Sequence, residues 1–200
     1  MTQTATIPRR YGNLVAAIAT VGCCDIAMGL TLQLLPLLME AQGIPAWIMG
    51  VNAAMGPIGI LLAGPMLPHV IGRVGSKRIA ILVIVLLIAT MLAFPLAPSI
   101  WLWFPIRFTF GIAAGTLFTI SEAWVLTFAG DGNRGRVTAL YTSVLAVTFS
   151  VGPLILPFTG IAGWTPWLIG MACIAAGALP LAFVEVDDDV FRQRRAGGFF

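Results

Sequence analysis

The sequence predicts an all-α polytopic membrane protein with six transmembrane helices. Three observations carry this. Hydrophobic residues make up 59% of the 200 and charged residues only 10%, where a soluble domain carries about 25% charged residues. The mean hydropathy is +0.98. The apolar residues come in continuous runs of about 20, the length that spans a hydrocarbon core as a helix, without the alternation of a barrel strand. A soluble fold of this size could not cover so much apolar surface with polar groups. In lipid, every backbone N–H and C=O needs an internal partner, and a helix supplies one.

The first span, 13–39, follows Arg9 and Arg10 and closes at Glu40-Ala41-Gln42-Gly43-Ile44-Pro45. It is too long for the apolar region of a signal peptide. The second, 47–68, contains Gly56-Pro57, and the third, 79–97, stops at Ala97-Pro98-Ser99. The fourth, 100–127, carries Arg107 and Glu122. The fifth, 137–159, follows Asp131-Gly132-Asn133 and contains Gly152-Pro153; a glycine-bearing break then leads into the sixth, 164–184. Glycine, proline and small polar residues mark each break. A bundle over 13–184 therefore lies between a tail at 1–12 and a charged segment at 185–200. Tyr11, Trp47, Trp101, Trp103, Trp164 and Trp167 fall near span ends, where aromatic side chains anchor at the lipid–water interface.

The net charge is +3, yet its placement argues for topology rather than a nucleic-acid partner. Every Lys and Arg except Arg107 lies before span one, between spans two and three, between four and five, or after span six. With six spans these segments share one side of the membrane. The positive-inside rule makes that side, and both termini, cytoplasmic, in the cell's inner (plasma) membrane. The three cysteines, Cys23, Cys24 and Cys173, all sit inside apolar runs. Their number and spacing suggest neither a disulfide framework nor a metal site, and they read as small packing residues.

Three ionisable residues lie within the spans: Asp25, Arg107 and Glu122. Charge at membrane depth costs about 2.5–3.5 kcal/mol on insertion scales, so it faces a cavity or a partner. Asp25 is about 18 Å from the inner end of its helix and Arg107 roughly 10 Å from its outer end. In a core about 30 Å thick they can meet if spans one and four touch. They then form either a substrate or proton site in a central cavity or a static buried ion pair. Gln33 is a further cavity candidate. Glu122 lies about 22 Å beyond Arg107, near the basic loops, where it can join Arg73, Lys77, Arg78, Arg134 and Arg136 in a cytoplasmic charge clamp. Gly111 and Gly115 form a small-xxx-small face that allows close helix approach. Gly56-Pro57 and Gly152-Pro153 bend the second helix of each triplet, which suggests a 3+3 repeat of the kind found in secondary transporters. No phosphate loop, metal cluster or nucleophile motif occurs, so neither an enzyme nor a bound cofactor is expected.

These residues resemble the major facilitator superfamily. Gly72-Arg73-Val74-Gly75-Ser76-Lys77-Arg78 is similar to the family's signature between helices two and three, Gly-x-x-x-Asp-Arg-x-Gly-Arg-Arg. Arg73, Gly75 and Lys77 match it; Pro68, Gly72 and Ser76 depart from it, so the family's inward-gate salt bridge lacks its Asp here. Arg107 and Gly111 resemble the helix-four Arg-x-x-x-Gly pattern, whose arginine is linked in the family to proton coupling or cavity electrostatics. Arg134-Gly135-Arg136 with Gly152-Pro153 resembles the loop 4–5 and helix-five region, although Leu154 and Ile155 replace the Gly-Gly of the antiporter form.

The resemblance covers about residues 12–185 and implies one six-helix half of a transporter that moves a small molecule by alternating access, with proton-coupled efflux as one form. It also implies that 185–200 begins a cytoplasmic linker to a missing C-terminal half. A half-size protein working with a second copy is the alternative, and a non-transporting scaffold or sensor module is the rival class.

Overall fold

The computed structural model describes residues 7–129 and 132–183. The acidic stretch from Glu185 and the basic Arg192, Arg194 and Arg195 lie outside the described residues. Helices α1 (Ile7–Ala41), α2 (Ala46–Val74), α3 (Ser76–Leu96), α4 (Trp103–Ala129) and α5 (Arg134–Leu154) are followed by a one-turn helix α6 (Leu156–Thr159) and by α7 (Thr165–Phe183). Among the described residues, six segments are long and apolar enough to cross a membrane; α5 and α6 together make the fifth.

Breaks between helices follow from local chemistry. At the end of α1 the Gly43 N–H bonds to the Glu40 carbonyl at 2.8 Å and the Ile44 N–H to the Met39 carbonyl at 3.0 Å. This Schellman pattern needs a left-handed residue, and Gly43 supplies it with φ +72°. Pro45 then prevents the helix from resuming. The expected loop between spans two and three shrinks to one residue, Gly75, at φ +92°. Arg73, Lys77 and Arg78 therefore sit on the ends of α2 and α3 rather than in a loop. At the turn after α3, the Phe94 carbonyl faces Pro98, which has no N–H to give. It accepts instead from the Ala97 N–H at 3.3 Å and from the Trp103 indole at 3.2 Å.

The packing has an internal repeat. α1 packs on α5 and α7, and α4 packs on α2 and α3 in the same roles; α1 also meets α4, and α3 meets α7. Triplet α1–α2–α3 thus corresponds to α4–α5–α7, with the second triplet inverted because an odd number of spans separates them. α1 and α4 form the centre, while most of α2 and α5 is exposed.

The aromatic anchors divide. Tyr11, Trp47, Trp101 and Trp164 are exposed, but Trp103 and Trp167 are buried. They flank Phe94, with Trp167 stacked at 5.5 Å and Trp103 edge-on at 6.3 Å. Position near a helix end did not make these two interfacial, because both side chains turn inward onto Phe94.

Candidate functional site

Glycine contacts at two helix pairs hold the repeat together. On α4, a Cβ added to Gly111 would stand 2.9 Å from the Cα of Gly56 on α2, and one added to Gly115 would stand 2.8 Å from the Cα of Ile60. On α5, a Cβ added to Gly152 would stand 2.7 Å from the carbonyl carbon of Gly29 on α1. Each contact is backbone against backbone, which only glycine permits. Pro57 and Pro153 directly follow the glycines of the second helices, and Pro153 packs beside Gly29, its Cδ 3.2 Å from the Cβ position there.

One turn before Gly29, Gly56, Gly111 and Gly152 stands a polar residue. The four pairs are Asp25 with Gly29, Asn52 with Gly56, Arg107 with Gly111 and Thr148 with Gly152. Asp25, Asn52 and Arg107 are buried, at 3%, 1% and 5% exposure. Because α1 and α5 run in parallel with Gly29 against Gly152, Asp25 meets Thr148: the Thr148 hydroxyl donates to the Asp25 Oδ2 at 3.1 Å. The same hydroxyl lies within reach of the Val144 carbonyl at 2.9 Å and the Leu145 carbonyl at 3.1 Å, so its single proton has three places to go. α2 and α4 repeat this register, with Gly56 against Gly111 and Ile60 against Gly115. Asn52 and Arg107 therefore hold equivalent register positions on α2 and α4, although the neighbour of the Arg107 side chain on α2 is Gly56.

The two polar sites differ in satisfaction. Asp25 has its hydroxyl partner. The Arg107 Nη1 and the Asn52 Nδ2 are buried and have no hydrogen-bond partner.

Arg107 lines a cavity of about 210 Å³ between α1, α2 and α4, with Phe94 and Phe149 also on its walls. Its other walls are Met28, Thr31, Leu32, Leu35, Gly56, Pro57, Ile60, Phe110 and Gly111. The Arg107 Nε is 3.8 Å from the Cβ position of Gly56.

Asp25 and Arg107 do not pair, although α1 and α4 touch. Asp25 is turned to α5, and Arg107 is turned to α2 and the cavity. The inverted repeat explains the miss. The four-residue step before the glycine, about 6 Å, points toward the basic end on α1 and away from it on α4. Arg107 accordingly shares its cavity with Thr31 and Leu35, which lie about 9 and 15 Å beyond Asp25 along α1. Gln33 is exposed and does not line this cavity.

At the basic end, the Lys77 Nζ donates to the Ala182 carbonyl at 3.0 Å and ties the start of α3 to the end of α7. The Trp124 indole donates to the Ser76 Oγ at 3.2 Å, and Ser121 and Tyr141 share a hydrogen bond of 2.8 Å. These contacts join α4 to α3 and to α5. Arg73, Arg78, Glu122, Arg134 and Arg136 are exposed around them. Among the described residues, no salt bridge joins Glu122 to Arg73, Arg78 or Arg136.

Sequence reasoning missed Asn52, Thr148 as the partner of Asp25, Gly29, and the Ser76–Trp124 and Ser121–Tyr141 bonds. The repeated polar-x-x-x-Gly spacing was the available signal for the first three. The last two pairs are 48 and 20 residues apart and carry no local pattern.

A family model described as Major Facilitator Superfamily matches residues 17–198. The chain is 26% identical over 166 residues to the MFS-type transporter YfkF of Bacillus subtilis, covering 83% of this chain and 42% of that one. It is 28% identical over 163 residues to the MFS-type transporter YcaD of Escherichia coli, covering 80% and 42%. An MFS-type transporter of an Enterobacter species is 27% identical over 164 residues, again covering 80% and 42%. The chain thus spans about two fifths of the length of these relatives.

Proposed function

The chain belongs to the major facilitator superfamily, and on that premise we propose that it supplies one six-helix bundle of a secondary active transporter that carries a small molecule past Arg107. A second bundle, either a C-terminal half or another copy, closes the path. The observation that carries this reading is a buried guanidinium with an unpartnered Nη1 on the wall of a cavity of about 210 Å³. A charge at this depth is expensive unless a cavity, a partner or a ligand uses it.

Asp25 is the proposed proton-coupling group. It is a buried carboxyl held by a hydroxyl and not by a cation, which suits reversible protonation better than a fixed ion pair does. The basic end is proposed to be cytoplasmic in the inner membrane, following the placement of positive charge. The family as a whole points to transport rather than catalysis, with the lipid bilayer as the protein's surroundings.

The test is gradient-driven uptake. The full-length protein is reconstituted into vesicles, an acid-inside or acid-outside gradient is imposed with a metabolite extract present, and the vesicle contents are read by mass spectrometry. At least one compound should accumulate only with the gradient. Arg107→Ala should abolish that accumulation while the protein still inserts and elutes as a single species. Normal accumulation by Arg107→Ala would sink the site assignment.

A further inference from the structure

The cavity that Arg107 lines selects a ligand by what its walls withhold. Only Thr31 and Arg107 bring a polar side chain to it. Thr31 is buried and its hydroxyl is engaged within its own helix, by the Ala27 and Met28 carbonyls at 3.0 and 2.9 Å. Arg107 is 5% exposed, and its Nη1 is buried. The charge therefore stands in the wall, and the surface that a ligand meets is almost wholly carbon and sulfur.

Such walls disfavour most ligand classes. An anion would give up its water for a wall whose one cation is nearly covered, and a charge desolvated without hydrogen bonds is costly. A cation would meet the fixed charge of Arg107 with no acidic side chain on the lining to balance it. A sugar or other polyol would leave hydroxyls unpaired. An uncharged apolar body gives up no hydrogen bonds and gains by leaving water. Three rings, Phe94, Phe110 and Phe149, lie on the lining with Met28, and Phe94 is flanked by Trp103 and Trp167. Ring–ring and sulfur–ring contacts add to area burial and so favour an aromatic occupant over an aliphatic one. The volume sets the size: a dry apolar cavity of about 150 Å³ takes benzene, so about 210 Å³ has room for one substituted ring. Leu32 and Pro57 on the lining are exposed and leave it a mouth.

We propose that the cavity binds a small uncharged aromatic molecule, one substituted ring in size, between Met28, Phe94, Phe110 and Phe149. This rests on the transport reading above and names its substrate class. Arg107 then serves as a fixed charge that keeps cations out of the cavity, and not as a hydrogen-bonding contact to the ligand.

The experiment is photolabelling of the full-length protein in lipid nanodiscs with phenyl(trifluoromethyl)diazirine, an uncharged one-ring probe, with the labelled residues located by mass spectrometry. Exposed Leu82 reports contact with lipid, and buried Phe110 reports the cavity. Toluene should protect Phe110 saturably and leave Leu82 labelled. Compared at equal concentration in the bilayer, benzoate and benzylammonium should need at least about tenfold more to protect Phe110, and methylcyclohexane about threefold more. Leu32→Trp sets an indole at the mouth and should weaken labelling of Phe110 while sparing Leu82. The competitor series uses the unaltered protein, so it decides the matter even where that variant does not fold. No labelling of Phe110, or protection by benzoate or benzylammonium as good as that by toluene, would overturn the proposal. Equal protection by methylcyclohexane would also overturn it and assign the cavity to an acyl chain. Gradient-driven uptake of charged or polyhydroxy compounds alone would overturn this inference and leave transport standing. Toluene-specific protection of Phe110 without any uptake would overturn transport and leave the binding site standing.

Discussion

Gly56 and Gly111 meet backbone to backbone, yet the contact is not symmetric. A Cβ on Gly111 would be 2.9 Å from the Gly56 Cα, whereas a Cβ on Gly56 would meet only the Arg107 Nε, at 3.8 Å. The first is a clash with main chain that cannot move aside; the second is ordinary contact. Gly111→Ala should therefore push α2 from α4 and destabilise the protein by about 1–3 kcal/mol. Gly56→Ala should be neutral or slightly stabilising, since alanine is favoured over glycine in a helix by up to about 1 kcal/mol. Thermal unfolding of the two variants in nanodiscs checks this, and equal losses would show that the close approach has been misplaced.

The separation of Asp25 from Arg107 yields a second prediction. They share no partner, since Asp25 bonds Thr148 and Arg107 faces the cavity. The charge-swapped double variant Asp25→Arg with Arg107→Asp should not recover the transport lost by either single change. In a stability cycle built from Asp25→Asn and Arg107→Gln, the effects should add to within about 0.5 kcal/mol, as for independent sites. A coupling of several kcal/mol would restore the direct ion pair.

Ser121 and Tyr141 give the opposite expectation. Their 2.8 Å hydrogen bond is buried and links α4 to α5. Tyr141→Phe and Ser121→Ala should each cost about 1 kcal/mol, and the double variant should cost little more than the first. Unfolding midpoints of the three variants measure it. Strict additivity would mean that the two hydroxyls do not use each other.

Orientation is open to chemical labelling. Once Cys23, Cys24 and Cys173 are replaced by alanine, a single cysteine at Arg136 or at Gln42 reports one end of the bundle; both positions are exposed. A membrane-impermeant maleimide applied to intact cells should label Gln42→Cys and spare Arg136→Cys until the cells are opened. The reverse pattern would place the basic end outside.

Much of the fold was legible because lipid removes alternatives. The six spans appear where the apolar runs lie, within a few residues, and Gly43 stops α1 where its break was expected. The loop after span two was misread for a physical reason: Gly72-Arg73-Val74-Gly75 looks like a loop by composition, but one left-handed glycine is enough to turn the chain, and the polar residues stay helical. Trp103 and Trp167 were misread because a side chain near a helix end can turn inward, here onto Phe94, as readily as it can face lipid.

By itself, the sequence determined the number of spans, the charge asymmetry between the two ends and the presence of ionisable residues at membrane depth. Each depends on composition along a single helix, where burial in hydrocarbon and the rise per residue set the answer. Only the tertiary structure decided which residues those groups face. Counting residues matches Asp25 and Arg107 in depth, yet in the bundle Arg107 lies beside Thr31 and Leu35, about 9 and 15 Å beyond Asp25 along α1. That offset follows from where Gly29, Gly56, Gly111 and Gly152 let backbones touch. The same close approaches put the buried Arg107 on the wall of an apolar cavity. No property of either helix alone contains that arrangement, because close packing is a relation between surfaces.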